Sequence, residues 1–259
     1  MRTVISSEAS LLRLNDRLSD VDVIYFDTET DSESGSGFAY NRYVVGYSVA
    51  TSLKEGWYIP LRHEHRPGTI DLFSGELQAP PRNAPEELAI EVLRNFLIRP
   101  GTTAYAHNAK FDVGSLRNMG IDPADIKSHI RCTSILAYVL NDGDWRSINL
   151  ENLLFSIFEI KKSKFKGFSK YARTKWIPIN EMSPYAIGDV TELVRLAEFL
   201  EERLKERPAI RKVYEELELE IQFLIEEIEY DGFKVNTEKL RSSFKLCDDE
   251  MLECEEDLS

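Results

Sequence analysis

Asp27 and Glu29 lie two residues apart in Asp27-Thr28-Glu29-Thr30, directly after the run Val21-Asp22-Val23-Ile24-Tyr25-Phe26. In an extended strand, residues i and i+2 point to the same face, so both carboxylates project together from the strand's C-terminal end. Two such groups repel, and a hard divalent cation, which prefers oxygen ligands, is the simplest bridge between them. A solvated strand end is the alternative, and the pair alone does not decide, because the D-x-E pattern recurs by chance. The chemistry turns on whether later segments supply partners.

Two segments qualify. Asn108-Ala109-Lys110-Phe111-Asp112 opens a helix after the short extended stretch Thr103–His107, and the spacing of four puts Asn108 and Asp112 on one helical face. Asn108 also suits an N-cap, and Asp112 also suits the helix dipole; the functional reading makes Asp112 a third carboxylate facing the first two. Tyr185-Ala186-Ile187-Gly188-Asp189 has the same spacing. Asp189 lies past the first turn beside Val190, Leu193, Val194 and Leu196, where a carboxylate needs a partner to offset its desolvation. A metal ion supplies one.

The elements that must position these groups follow from periodicity. Residues 21–27 read as the first strand, with 44–50 and 56–60 completing an antiparallel meander through a turn near 52–55. Residues 62–85, rich in Pro, Gly and polar groups, read as a long surface loop holding His63 and His65 as exposed histidines. Helices are predicted over 86–98, 108–119, 133–140 and 150–158. A further helix over 185–204 starts at Ser183-Pro184, and helices over 210–229 and from 237 onward follow. Residues 1–20 read as a lead-in or short helix. Strands in a hairpin pattern followed by alternating helices and strands indicate an α/β fold with a mixed sheet.

Composition sets the class. A 42% hydrophobic fraction over 259 residues supports a real core, in one large domain or one domain with a piece of another. No apolar run approaches the ~20 residues of a membrane span, and no secretory signal is visible. Three cysteines, Cys132, Cys247 and Cys254, without a C-x-x-C pattern suit reduced thiols in the cytoplasm. The net charge of −13 argues against a nucleic-acid partner until it is located. Residues 206–259 carry 7 Lys/Arg against 17 Asp/Glu, leaving 25 against 28 in the remainder. Within that remainder, Lys161, Lys162, Lys164, Lys166, Lys170, Arg173 and Lys175 run without an acid and interleave with Phe165, Phe168 and Tyr171. Cations that follow phosphates and rings that stack on bases suit a single nucleic-acid strand; a solvated basic loop is the alternative.

DTET after an apolar strand, NAKFD after a short strand and YAIGD in a helix resemble, in this order, the three exonuclease motifs of the DEDD superfamily. Tyr185 four residues before Asp189 marks the DEDDy branch. Residues 133–138 and 150–154 are similar to the segment between the second and third motifs in family A DNA polymerases. Residues 217–236, ending in Tyr230-Asp231-Gly232-Phe233-Lys234-Val235-Asn236, resemble the start of the polymerase domain of that family. The resemblance covers about residues 18–259. It implies an RNase H-like, mixed five-stranded sheet flanked by helices in a 3'-5' exonuclease domain over 1–205. A helical extension over 206–259 would begin a polymerase domain of the same, longer chain. A phage or viral source is compatible with this, and would make the compartment the host cytoplasm.

The activity so implied is proofreading: removal of nucleoside monophosphates from single-stranded DNA 3' ends with two Mg²⁺ ions, Mn²⁺ being able to substitute. By resemblance, Asp27 bridges both ions, Glu29 and Asp189 complete the site that activates water, and Asp112 serves the second ion through water. Tyr185 orients the attacking water, since a phenol is a poor base at neutral pH. Thr28, Thr30 and Asn108 meet the terminal nucleotide, and Lys161, Lys162, Lys164 and Lys166 the strand behind it. The alternatives are a DEDDy ribonuclease trimming RNA 3' ends, and a catalytically silent domain that binds DNA or braces a polymerase. The chain departs from the family pattern at Glu33, where an apolar wedge is usual, with Phe38 or Tyr40 as replacements, and at Cys132, where Asp is common.

Overall fold

The computed structural model describes residues 2–33, 35, 37, 39–70, 78–141, 148–162 and 165–257. The first elements are β1 (Arg2–Val4), α1 (Glu8–Ser19), β2 (Val23–Asp31), β3 (Tyr43–Ser52), β4 (Glu55–Pro60) and α2 (Glu86–Leu97). β5 (Thr103–Ala106), α3 (Ala109–Arg117), α4 (Pro123–Ile126), β6 (Ile130–Cys132), α5 (Thr133–Leu140), α6 (Leu150–Phe158) and α7 (Gly167–Tyr171) follow. The last helices are α8 (Ile179–Lys205), α9 (Pro208–Val213), α10 (Leu219–Asp231) and α11 (Thr237–Asp257).

One mixed sheet in the order β1-β4-β3-β2-β5-β6 organises them. The sheet has six strands rather than the expected five, and β1 and β6 had no counterpart among the strands read from periodicity. Each is three residues long, too short to show alternation, and each is recruited by a parallel neighbour, β1 by β4 and β6 by β5. β2 lies inside the sheet, antiparallel to β3 and parallel to β5. Its alternation is clear. Ile24 and Phe26 enter the main core, to which α1 contributes Leu11, Leu14 and Leu18, and α2 Val92, Leu93 and Phe96. Tyr25 enters a second cluster with Val190, Leu193, Val194 and Ala197 of α8. Period two then places Asp27 and Glu29 on Tyr25's side of the sheet, toward α8.

Three expectations change in detail. α8 begins at Ile179, so Pro184 lies inside it rather than opening it; a proline in the second turn forfeits a single ladder bond, and the buried face that follows carries the helix through. The stretch expected as one helix over 210–229 is α9, a π-helical turn over Tyr214–Glu218, and α10. Tyr214 at that turn is fully buried, accepting from the Cys132 amide at 2.9 Å and donating to the Cys132 carbonyl at 3.1 Å. His63 is buried at 2% exposure, not on the surface.

α10 docks on α3. Arg117 makes a two-pronged ion pair with Glu226 (Nε to Oε1 3.1 Å, NH2 to Oε2 2.8 Å) and packs its guanidinium 4.2 Å from the Tyr230 ring. Lys110 pairs with Glu229 at 2.5 Å. α11 is exposed at every described residue up to Met251. Among the described residues no helix is long and apolar enough to cross a membrane.

Candidate active site

β2, α3 and α8 bring Asp27, Glu29, Asp112 and Asp189 together; β2 runs on to Asp31, so the acidic pair lies within the strand rather than at its end as expected. Glu29 is 6% exposed, Asp112 2% and Asp189 9%, while Asp27 is half-buried. A bulge in the β2–β3 ladder falls between Glu29 and Thr30, just past the acidic pair. Asp112 is no solvent-facing complement to the helix dipole: it accepts from the Thr28 amide (3.0 Å) and the Thr28 hydroxyl (2.7 Å), tying α3 to β2.

The acids strain one another. Burial pushes the Asp27 carboxyl up to about 6, with Lys162 working the other way. Burial also lifts Glu29 well above the usual carboxylate range, and the charges of Asp27 and Asp112 lift it further. Asp112 is raised by burial and by Asp27, against the two Thr28 hydrogen bonds. Lys162 rests on Asp189 Oδ1 as an ion pair, yet that oxygen receives no aligned hydrogen bond. An all-oxygen donor set and mutual repulsion fit a hard divalent cation. Among the described residues no three such side chains already converge as a finished ligand set: Asp112 is turned onto Thr28, and Asp189 onto Lys162.

A stability difference follows for the metal-free protein. Asp27's folded-state value, raised to about 6, lies above the ordinary 3.8. Its contribution is therefore present below pH 4 and lost as pH rises through 6. In chelator at pH 7, Asp27→Asn is expected to be more stable than wild type by on the order of 2 kcal/mol, the difference vanishing below about pH 4. Denaturant melts of both proteins at pH 4 and pH 7 measure it; a pH-independent difference would contradict the burial of this charge.

Tyr185 lies beside the acids with its ring stacked on Phe165 (centroids 4.5 Å, 11°) and met edge-on by Phe168 (5.6 Å, 88°). Burial and the charges of Glu29 and Asp27 raise its phenol, so it is protonated at neutral pH and acts as a hydrogen-bonding group. A cleft of about 400 Å³ opens next to it, lined by Arg2, Lys162, Phe165, Lys166 and Tyr185 among others.

The residues expected to meet substrate divide. Thr28 is spent on Asp112, and Thr30 accepts from Arg42 through its hydroxyl (2.7 Å) and its carbonyl (3.0 Å); both threonines are buried and shape the site from within. Asn108 stands at the N-cap position without capping: its backbone is left-handed (φ 66°) and its side chain makes no cap bond. It is exposed and available to a ligand.

The basic segment is largely committed to internal pairs. Lys162 pairs with Asp189, and Lys170 with Glu181 at 3.0 Å. Arg173 pairs with Asp31 and Glu33, each at 2.9 Å, and Lys175 with Glu64 at 2.9 Å and Glu33 at 3.4 Å. Lys161 and Lys166 make no ion pair among the described residues. Lys164, and Phe38 as a replacement wedge, lie outside them. Glu33 is thus a partner for Arg173 and Lys175, and Tyr40 sits in a helical turn over Ala39–Asn41.

Sequence reasoning missed the support beneath Glu29. Its cross-strand partner is Gly46, and Tyr58 packs over that glycine, fully buried. The Tyr58 hydroxyl meets His63 Nε2 at 2.7 Å, and His63 Nδ1 meets the Ile177 carbonyl at 2.8 Å. Burial lowers His63 to about 4, so the ring is neutral. A carbonyl only accepts, so Nδ1 carries the proton and Nε2 accepts from Tyr58. The available signal was a histidine three residues beyond a strand, which reads the same in any loop.

Comparison with known proteins agrees with this geometry. DNA polymerase I of Chloroflexus aurantiacus is 26% identical over 247 residues, which is 92% of this chain and 23% of that protein. The chain therefore spans about a quarter of the length of that curated relative. The fold is similar to the POL domain of Pol1 from M. smegmatis in complex with DNA primer-template and dNTP (TM-score 0.64, 17% identity, 94% of this chain and 35% of that one). It is also similar to Escherichia coli RNase D, an exoribonuclease involved in structured RNA processing (TM-score 0.59, 16% identity, 90% and 52%). Residues 3–205 match the 3'-5' exonuclease family of DNA polymerase A. With three motifs on the elements the family pattern requires and the match running through all of them, this chain belongs to that 3'-5' exonuclease family.

Proposed function

We propose that the chain hydrolyses the terminal phosphodiester bond of single-stranded DNA 3' ends, releasing nucleoside monophosphates, as the proofreading part of a longer family A DNA polymerase. The domain limits proposed with this are 1–205 for the exonuclease and 206–259 for the start of the polymerase domain. The observation that carries the reading is the meeting of Asp27, Glu29, Asp112 and Asp189 beside a protonated Tyr185.

Asp27, Glu29 and Asp189 would hold one divalent ion, and Asp27 with Asp112 a second, Mg²⁺ being the expected ion and Mn²⁺ a substitute. When bound, such ions lower the pKa of water and offset charge on phosphoryl oxygens. The chain's own groups do the rest. Thr28 holds Asp112 in place through two hydrogen bonds. Tyr185, fixed by Phe165 and Phe168, keeps its proton and orients the attacking water rather than deprotonating it. Asn108 offers its side chain to the terminal nucleotide, and Lys161 and Lys166 are the described basic-segment lysines without an internal ion pair, free to follow phosphates.

Trimming of RNA 3' ends needs the same carboxylates, and the fold likeness to RNase D keeps that reading open. The sequence likeness to a DNA polymerase over 92% of the chain favours DNA. The test is Mg²⁺-dependent release of mononucleotides from matched 3'-labelled DNA and RNA strands. Faster release from DNA is expected. Faster release from RNA would replace the substrate, and no release from either would leave a silent bracing domain.

A further inference from the structure

Four acids and one ammonium share the centre. Lys162 enters it from the connection between α6 and α7 and itself belongs to no helix or strand. Its side chain is 20% exposed and rests on Asp189, whose side chain is 12% exposed. The ammonium lies 5.3 Å from the Tyr185 ring, and Asp27, Glu29, Glu151 and Glu192 act on it electrostatically. The attraction of these carboxylates holds Lys162 there.

Among the described residues, Lys162 is thus the positive charge set among carboxylates whose burial and mutual repulsion demand more than one. Asp189 Oδ1 cannot be covered by the ammonium and also ligate a metal ion in the same place. Lys162 belongs to no helix or strand, so its side chain can withdraw without breaking an element's hydrogen bonds. Outward movement has a destination: the cleft beside Tyr185, which Lys162 itself lines and to which Glu181 and Glu192 offer carboxylates.

We propose that Lys162 is a built-in stand-in for the metal, neutralising Asp189 in the metal-free chain and leaving when a divalent ion is held there. This rests on reading the carboxylates as metal ligands. Departure of Lys162 and metal loading are then one linked equilibrium, each opposing the other's competitor by the same factor.

The test uses Mn²⁺ alone, without nucleic acid, titrated into the whole chain and followed by the spin resonance of the free ion. Wild type, Lys162→Met and Lys162→Arg are compared, with Lys162→Gln as the second neutral variant should the methionine protein fail to fold. The neutral variant is expected to bind Mn²⁺ roughly tenfold or more tightly than wild type, with arginine close to wild type. The neutral variant should also melt at a lower temperature than wild type in chelator, a gap that closes at saturating Mn²⁺. Equal affinities in all three proteins, or weaker binding by the neutral variant, would overturn the role of Lys162 and leave the metal-ligand reading standing. No Mn²⁺ binding by any of them would overturn that reading itself.

Discussion

Asp27→Asn is expected to lower Mg²⁺-dependent mononucleotide release by roughly a thousandfold or more, about 4 kcal/mol of barrier. The substitution keeps size and shape, so the fold should persist. It removes the negative charge that a shared ligand must offer to two cations, and a neutral amide is a poor substitute. Asp27 is also the acid whose charge reaches both neighbours, raising Glu29 and Asp112 alike. The variant should therefore combine near-complete loss of activity with a gain in metal-free stability at neutral pH. A merely structural carboxylate would show neither the loss nor the combination. Single-turnover release from a labelled strand, beside denaturant melts in chelator, reads both; retention of activity within tenfold of wild type would remove Asp27 from the centre.

Gly46→Ala is the second large expectation, and it acts on stability first. The added methyl would come 2.7 Å from Tyr58 Cζ and 2.9 Å from the Ile59 carbonyl oxygen, and into contact with the Tyr58 hydroxyl. Tyr58 cannot swing aside freely, because His63 holds its hydroxyl and the Ile177 carbonyl holds His63. Overpacking against backbone and loss of that buried hydrogen bond together cost about 3 kcal/mol or more. For a chain of this length, that is about 10 °C in Tm. Since Gly46 is the cross-strand partner of Glu29, activity should fall as well. Tyr58→Phe in the same chain should recover part of the loss, a non-additive pair measurable by thermal melts. Equal losses with and without the hydroxyl would place the strain on the Tyr58 ring and the Ile59 backbone instead.

The four acids and Tyr185 were legible in the sequence because each sits at a fixed offset within one regular element, and strand and helix periods convert such offsets into faces. β2, β3, β4 and α2 were legible for the same reason. The three-residue strands β1 and β6 were not, since their pairing is decided by neighbours far along the chain. The basic segment was readable as charge but not as pairing. Arg173 meets Asp31 across 142 residues, a contact set by how the end of β2 and the stretch after α7 meet in space. Asn108 shows the limit in a single residue: its type suits a cap, while its left-handed backbone turns the side chain away from that duty. Buried His63 and half-buried Lys162 were indistinguishable in sequence from surface residues, because nothing local states which loops fold inward.

α3 carries two sets of attachments. Asp112, near its start, is fastened to β2 through Thr28, while Lys110 and Arg117 grip Glu229 and Glu226 on α10. A helix of nine residues is too short to bend between these attachments. One short helix thus joins the carboxylate centre to the acidic helical tail, with the α10 contacts of Lys110 and Arg117 on either side of Asp112.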